Sequence, residues 1–205
     1  MTSIIGYSDL LRHTRLDHEK TDRALEYIYK EGKRLEALSQ RLMQIIYLEN
    51  MEQLELKAVS IMKLFHDVYD AVELRLNQKN QRLEIVCEGD IILPMNDVLM
   101  ISLLVNLIDN AYKASDDNSI IYLRAYKNEQ DKLILEVEDK GKGIPEDELL
   151  KVMTPFYTLD QSRTRANNGA GLGLSLCSII AAAHHADIGV ESILGEGTVM
   201  KIVFN

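Results

Sequence analysis

The segment NLIDNAYKAS, at residues 106–115, begins a series of four short segments whose order decides the fold. It is followed by DKGKGIP at 139–145, TPFYT at 154–158 and GAGLGLSL at 169–176. The first segment is an amide-rich stretch of a helix, the second sets a carboxylate beside glycines, and the last is a glycine loop that opens another helix. This arrangement indicates that the segments surround a single nucleotide.

Composition and charge narrow the classes of function. The 205 residues are 46% hydrophobic, which is enough for one good core and a thinner appended element. A formal charge of −9 argues against nucleic-acid binding, because that binding depends on Lys and Arg side chains that neutralise phosphates. Cys87 and Cys177 lack ligand spacing and fit a reduced, cytoplasmic setting. No apolar run approaches the roughly 18 residues of a membrane span, so we expect no membrane contact by this chain.

Residues 1–52 carry a helical pattern and form the first predicted domain. Apolar residues recur at helical spacing, with one interruption, at Leu25, Ile28, Leu35, Leu38, Leu42 and Ile45. This spacing predicts the seam of a helical pair, with a shorter helix at 2–13 and a turn at 16–21. Two thin helices cannot bury such a seam alone, so we expect a homodimer with a four-helix bundle. The alternative is that they fold back on the following domain.

Residues 53–205 mix strand and helix patterns and form the second predicted domain. Strands are predicted at 54–59, 83–87, 120–126, 133–139, 188–193 and 198–204. Helices are predicted at 60–77, 97–114 and 171–183. The mixture predicts an α+β fold, in which helices cover one face of a mixed sheet as a two-layer α/β sandwich, preceded by the helical hairpin.

One face of the predicted helix at 97–114 presents two amides and an ammonium group. Asn106, Asn110 and Lys113 fall at positions i, i+4 and i+7. An amide oxygen suits Mg²⁺, which takes few protein ligands and leaves room for phosphate oxygens. Lys113 would meet a phosphate as a point charge. The alternative is the solvated polar face of an ordinary helix.

A first glycine loop, residues 139–145, carries one carboxylate. Asp139 ends a predicted strand, and Gly141 and Gly143 allow the backbone to approach a flat ligand closely. A carboxylate accepts a hydrogen bond from the exocyclic amine of adenine, whereas guanine has a carbonyl at that position. The loop therefore favours ATP. The alternative is an ordinary turn with Asp139 in solvent.

A second glycine loop, residues 169–173, precedes an apolar helix. Gly169, Gly171 and Gly173 would leave amide hydrogens exposed at a helix N-terminus, which is an anion site suited to a triphosphate. The preceding polar stretch, 160–168, carries Arg163 and Arg165 and is interpreted as a mobile lid that ligand orders. The alternatives are a close-packing role for the glycines and a plain surface loop.

The four segments, in order and spacing, resemble the N, G1, F and G2 boxes of sensor histidine kinase catalytic domains. These domains belong to the GHKL superfamily, with type II topoisomerases and heat-shock chaperones. The resemblance covers essentially the whole chain, because GKRLEALSQRLMQIIYLEN at 32–50 is similar to the second helix of the family's dimerisation domain. It implies a Bergerat-type sandwich that binds ATP and Mg²⁺. Asn110 would hold Mg²⁺, and Asn106 and Lys113 would contact phosphates.

The resemblance also implies how the loops contact the nucleotide. Asp139 would accept a hydrogen bond from the adenine amino group, and Phe156 would support the lid. The implied nucleotide contacts in the loops are Gly141, Gly143, Ile144, Arg163, Arg165, Gly169, Gly171, Leu172, Gly173 and Leu174. The family often has an aromatic residue directly after the lysine of the N box, where this chain has Ala114. Tyr112 is therefore a candidate for stacking on the base, and the stacking residue is left open.

The stretch TSIIGYSDLLR, at 2–12, resembles the sequence just after the family's phosphoacceptor motif. The acceptor His and its acidic neighbour are absent, which we expect to reflect truncation within the first dimerisation helix. A naturally acceptor-less regulator is the alternative. The implied activity is transfer of the ATP γ-phosphoryl group to a histidine absent from this chain, for relay to a response regulator receiver domain. The parent protein would then carry its sensor, and any membrane anchor, outside this chain.

Two further classes of function stay open. One is a GHKL-type ATP hydrolase, which usually carries a glutamate general base where this chain has Asn106. An amide cannot take a proton from water, so appreciable hydrolysis is disfavoured. The other is a regulator or scaffold that keeps the fold without kinase activity.

Overall fold

The chain divides into two compact units. A computed structural model describes residues 2–14, 16–49, 54–89, 91–157 and 171–205. The two units are residues 1–44 and residues 45–205. Within the described ranges, no helix combines the length and the apolar character that a membrane crossing requires.

The first unit is a pair of helices. Helix α1 is Thr2–His13 and helix α2 is His18–Glu49, of which residues 18–44 belong to this unit. The carboxylate of Asp17 accepts from the Lys20 main-chain N–H at 2.8 Å and so caps the start of α2. The rings of Tyr7 and Tyr27 lie 4.7 Å apart and join the two helices. Both predicted helices are present, but α2 begins at His18, so most of the turn predicted at 16–21 is helix.

The second unit is built on a five-stranded mixed sheet. Its strands are β2 (Arg82–Cys87), β4 (Ile120–Lys127), β5 (Leu133–Asp139), β6 (Ala186–Ile193) and β7 (Gly197–Phe204). Their order across the sheet is β2-β4-β5-β7-β6. The pair β2 and β4 is parallel, and every other neighbouring pair is antiparallel. Two of these antiparallel pairs, β4 with β5 and β6 with β7, are hairpins of strands consecutive in sequence.

Three helices cover one face of this sheet. They are α3 (Ile61–Asn77), α4 (Asp97–Ala114) and α5 (Gly173–Ala183). Helix α4 contacts β4, β5 and β7, while α3 contacts β2 and α5 contacts β6. The fully buried side chains between the layers include Phe65, Leu103, Leu107, Leu123, Leu135 and Ile202. The predicted α+β fold with a two-layer sandwich is therefore confirmed.

The other face of the sheet carries charged and aromatic side chains. The guanidinium of Arg124 lies between the carboxylates of Glu136 and Glu138 and 4.5 Å from the ring centre of Tyr122. The Tyr126 hydroxyl donates to Glu136 at 2.8 Å, and burial together with this carboxylate raises the pKa of Tyr126 to about 12. Opposite charges on neighbouring strands therefore pair across this face.

One short strand was not predicted from the sequence. Residues Ile92–Met95 form β3, which pairs with β1 (Lys57–Ser60) as a separate antiparallel two-stranded sheet. No strand was predicted there, because Pro94 cannot donate to a ladder and four residues give a weak periodic signal. Strand β1 also begins three residues later than the predicted 54–59.

Candidate nucleotide-binding site

Helix α4 and the start of α5 meet at Asn106. The side-chain amide of Asn106 donates to the Ser102 carbonyl oxygen at 2.9 Å. This bond fixes which end of the amide faces outward. Its Oδ1 atom lies 3.5 Å from the position that a Cβ on Gly173 would occupy. The amide-rich segment and the second glycine loop are therefore brought together.

Asp139 is buried at the end of β5. Only 7% of its surface is exposed, and its Oδ1 accepts from the Gly141 main-chain N–H at 2.8 Å. Burial raises the pKa of Asp139, while hydrogen bonds from the main-chain N–H groups of Gly141 and Thr198 lower it. The carboxylate is thus held in place by main-chain donors.

The first glycine loop packs directly against the end of α4. The Lys142 main-chain N–H donates to the Ala114 carbonyl oxygen at 3.2 Å. A Cβ on Gly141 would lie 2.5 Å from the same oxygen and 2.8 Å from Oδ1 of Asp139. No side chain fits at Gly141 without a shift of the main chain. The loop therefore brings Asp139 to the end of the helix that carries Asn106, Asn110 and Lys113.

The turn between β6 and β7 supports the other side of the first glycine loop. Gly143 has φ +66°, and a Cβ there would lie 2.1 Å from the Ile193 carbonyl oxygen. Gly197 has φ +135°, and a Cβ there would lie 2.0 Å from the Asp139 carbonyl oxygen. Both glycines are needed for close approach of two backbones as well as for their φ angles. Gly197 was not among the site residues predicted from the sequence.

Phe156 meets Gly171 of the second glycine loop through the main chain. The Phe156 N–H donates to the Gly171 carbonyl oxygen at 2.9 Å, and Phe156 adopts a φ of +64° that non-glycine residues rarely take. The residue is 66% exposed. Leu172 is buried and Leu174 packs against the core. Phe156 is therefore positioned beside Gly171, while the predicted lid at 160–168 lies outside the described residues.

One predicted site residue, Tyr112, lies away from the amide face of α4. Tyr112 follows Asn110 by two positions, which turns its side chain roughly 200° around the helix. Its ring lies 4.8 Å from Nζ of Lys79 and packs against the core. The structure therefore does not bring Tyr112 to the face that carries Asn106 and Asn110. Three other predicted contacts, Arg163, Arg165 and Gly169, lie outside the described residues.

Two side chains just before β2 hold the end of α4. The ammonium of Lys79 donates to the carbonyl oxygens of Tyr112 and Ser115, at 3.0 Å each. The amide of Gln81 donates to the carbonyl oxygen of Asp116 at 3.0 Å. The last carbonyls of a helix lack partners within the helix, and these donors supply them. Sequence analysis missed both residues, because their partners are more than thirty positions away.

A buried histidine ties the end of α5 to the start of α4. The Nε2 atom of His184 accepts from the Asn96 main-chain N–H at 3.0 Å, and Nδ1 lies 2.7 Å from the Ile180 carbonyl oxygen. The neutral tautomer with hydrogen on Nδ1 satisfies both contacts. Burial lowers the pKa of His184, and the neighbouring His185 adds a smaller effect in the same direction. Both helices of the site are thereby fixed to each other.

The donor set of the site suits Mg²⁺ held through a nucleotide. Within the described parts of the chain, no group of three or more His, Cys, Asp and Glu side chains could hold a metal ion. Asn110 is exposed on α4 and offers one amide oxygen. Mg²⁺ usually takes one or two protein ligands together with phosphate oxygens and water, so this single oxygen fits.

The chain is similar to a curated sensor kinase over nearly its whole length. It is 28% identical over 201 residues to the sensor histidine kinase WalK of Bacillus subtilis, in an alignment that covers 97% of this chain. The same alignment covers 33% of WalK, so the chain spans about a third of that relative.

Two solved histidine kinases share the fold. Full-length ShkA in complex with AMPPNP has a TM-score of 0.74 at 22% identity, covering 99% of this chain and 42% of that chain. Histidine kinase ThkA in complex with the response regulator protein TrrA has a TM-score of 0.76 at 24% identity, covering 99% and 56%. At these identities the likeness is evidence for the fold.

The match to a family model is more specific. Residues 95–205 match the model described as histidine kinase-, DNA gyrase B- and HSP90-like ATPase. The matched range contains α4, both glycine loops and the hairpin of β6 and β7, and it exceeds half of the chain. This chain belongs to the family of histidine kinase-, DNA gyrase B- and HSP90-like ATPases.

Proposed function

We propose that this chain is the ATP-binding catalytic portion of a two-component sensor histidine kinase. The observation that carries the proposal is the convergence of three elements. The end of α4 contacts the first glycine loop at Gly141, and Asn106 on the same helix faces Gly173 of the second loop. Similarity to WalK, to ShkA with AMPPNP and to ThkA with a response regulator supports the proposal.

Asp139 would select adenine. Its carboxylate would accept a hydrogen bond from the exocyclic amine, and guanine would place a carbonyl oxygen against the same buried group. The main-chain N–H groups of Gly141 and Thr198 stabilise the charged carboxylate, which offsets part of the burial penalty. A buried acceptor left without its donor costs about 1–3 kcal/mol, so discrimination against GTP should be substantial.

The face of α4 would bind the phosphates. Asn110 would hold Mg²⁺, and the bound ion would neutralise charge on the phosphate oxygens. Asn106 and Lys113 would contact the phosphates beside it, one turn before and one turn after Asn110. The N-terminus of α5, where Leu172 and Gly173 lie, would add its amide hydrogens and its helix dipole.

The helical pair of the first unit would be completed by a second copy. Several predicted seam residues remain exposed in the single chain: Leu25, Leu35 and Leu42 are 52%, 42% and 45% exposed. A homodimer would bury this apolar seam in a four-helix bundle. Sedimentation across a range of protein concentrations tests this part of the proposal, with Leu35→Glu as the variant expected to stay monomeric.

The kinase activity can be tested by supplying the missing acceptor. We propose that this chain binds Mg-ATP but does not phosphorylate itself. A helical segment that carries a His followed by an acidic residue would be grafted ahead of Thr2, with a matched graft that carries Gln instead of His. Acid-labile phosphate on the first graft alone supports the kinase. Multiple-turnover phosphate release without labelling of either graft would identify a hydrolase instead.

A further inference from the structure

We infer that Ser192 is a positioning residue that holds the first glycine loop in the shape required for adenine binding. The inference rests on the proposed function, because it assumes that this loop contacts the base. Ser192 lies on β6, outside the loops and helix that sequence analysis assigned to the site.

The hydroxyl of Ser192 joins three groups. Its Oγ atom accepts from the Ile144 main-chain N–H at 2.8 Å and donates to the Gly197 carbonyl oxygen at 2.6 Å. The Thr198 hydroxyl lies 3.0 Å away. A serine hydroxyl has one donor and two acceptor positions. With its hydrogen directed to Gly197, both lone pairs are used by Ile144 and Thr198, so the hydrogen-bonding capacity of the side chain is filled.

These partners mark both ends of the first glycine loop: Ile144 belongs to its late part, and Gly197 and Thr198 contact Asp139 at its start. Ile144 is near the end of the loop, five residues after Asp139. Gly197 packs against the Asp139 carbonyl oxygen, and the Thr198 main-chain N–H donates to the Asp139 carboxylate. One hydroxyl therefore connects the late part of the loop to the hairpin that holds Asp139.

The conformation of the first glycine loop is expected to depend on the hydrogen bonds of Ser192. Gly141 and Gly143 give its backbone more conformational freedom than other residues would. Gly143 also lies against Ile193, the residue that follows Ser192, so the loop and strand approach each other without an intervening side chain. Without the hydroxyl, the Ile144 N–H loses its partner and the loop samples more conformations. Nucleotide binding would then have to order the loop, which lowers affinity.

The test compares three variants of the full chain. Ser192→Ala removes the hydroxyl and Ser192→Thr retains it. Ser178→Ala is the matched control, because among the described residues Ser178 bonds to the Leu174 carbonyl oxygen of its own helix, at 3.2 Å. The Kd for ATP is measured by calorimetry, and hydrogen exchange is measured at the amides of residues 141–144. One lost hydrogen bond corresponds to a rise in Kd of about five- to tenfold.

Ser192→Ala is expected to raise Kd by that factor and to speed exchange at Ile144. Ser192→Thr should restore both readouts, and Ser178→Ala should change neither. A lower unfolding temperature for Ser192→Ala with unchanged Kd and unchanged exchange at Ile144 would show a merely structural role and overturn the inference. If Ser192→Ala does not fold, Ser192→Cys carries the same test, because a thiol has similar size and is a weak hydrogen-bonding group.

The outcomes also separate the inference from the proposed function. Failure of the unmodified chain to bind ATP overturns the proposed function and, with it, the inference. Tight ATP binding by both the unmodified chain and Ser192→Ala overturns the inference alone.

Discussion

The Lys142 main-chain N–H donates to the carbonyl oxygen of Ala114, the last residue of α4, at 3.2 Å. The end of a helix leaves carbonyl oxygens without partners inside the helix, and here the first glycine loop supplies one. A single main-chain bond thus links the helix that carries the amides to the loop that carries Asp139. It explains why residues separated by more than twenty positions in sequence share one site.

Replacing Gly141 with alanine tests this contact. The new Cβ would lie 2.5 Å from the Ala114 carbonyl oxygen, and neither backbone can move without disturbing the site. We expect Gly141→Ala to lower the free energy of unfolding by about 1–3 kcal/mol and to weaken ATP binding. Gly189→Ala is the control, because nothing lies within 4 Å of a Cβ at that position. If chemical denaturation gives the two variants the same free energy of unfolding and calorimetry gives them the same ATP affinity, the contact at Gly141 does not have this role.

The buried His184 predicts a pH dependence of stability. Burial holds its pKa in the folded chain below the ordinary value of 6.5. Protonation therefore favours the unfolded chain. The stabilisation is fully present above pH 6.5 and is lost as the pH falls through the lowered pKa. Each unit by which the pKa is depressed corresponds to about 1.4 kcal/mol.

His184→Gln removes this titration. Urea denaturation between pH 7.5 and pH 5 should show a smaller loss of unfolding free energy for His184→Gln than for the unmodified chain. His66→Gln, at an exposed position on α3, should retain the unmodified slope. Asp139, whose pKa is raised, acts in the opposite direction, since its contribution falls as pH rises, but this contribution is common to all three proteins. Identical slopes for all three would refute the role of His184.

The position of Tyr112 predicts that it does not stack on the base. Its ring contacts Lys79, and such a cation–π contact contributes about 0.5–1 kcal/mol. We expect Tyr112→Leu to lose stability of that order while the Kd for ATP stays within about twofold, a difference of less than 0.5 kcal/mol. Tyr69→Leu, on α3, is the comparison variant. A tenfold rise in Kd for Tyr112→Leu alone would assign the stacking role to Tyr112 after all.

The proposed Mg²⁺ contact can be isolated by measuring ATP affinity with the metal and with a chelator. Asn110→Ala should abolish most of the affinity that Mg²⁺ adds, because loss of groups at a metal site typically costs about tenfold or more in metal affinity. In the presence of the chelator, the ATP affinity of Asn110→Ala should be close to that of the unmodified chain. Asn77→Ala, at the exposed end of α3, should respond to Mg²⁺ as the unmodified chain does. If Mg²⁺ raises the ATP affinity of Asn110→Ala as much as that of the unmodified chain, Asn110 does not hold the ion.

Local patterns predicted the elements of the second unit well. The bounds of α4 agree with the predicted 97–114, because apolar periodicity is strong there and Asn96 caps the helix by accepting from the Leu99 N–H at 3.0 Å. Strand β3 was not predicted, because it contains Pro94, which cannot donate a main-chain hydrogen bond to a neighbouring strand. The resemblance to the ATPase superfamily of histidine kinases, gyrase B and HSP90 was confirmed by the family match over residues 95–205, and the similarity to WalK agrees with the histidine kinase branch.

Long-range contacts account for what the sequence did not reveal. Ser192 contacts Ile144 across 48 positions, and no local periodicity encodes that distance. Lys79 and Gln81 likewise contact the end of α4 from the residues just before β2. The placement of Tyr112, by contrast, follows from helical geometry alone, because a residue two positions after Asn110 faces the other side of the helix.

The most direct test of the central claim is calorimetric titration with ATP and GTP, each with Mg²⁺. We expect one ATP per chain, a preference over GTP of about tenfold or more, and loss of most ATP affinity in Asp139→Asn. Asp131→Asn, an exposed residue paired with Lys127, should bind ATP as the unmodified chain does. Equal binding of ATP and GTP, unchanged in Asp139→Asn, would contradict the account.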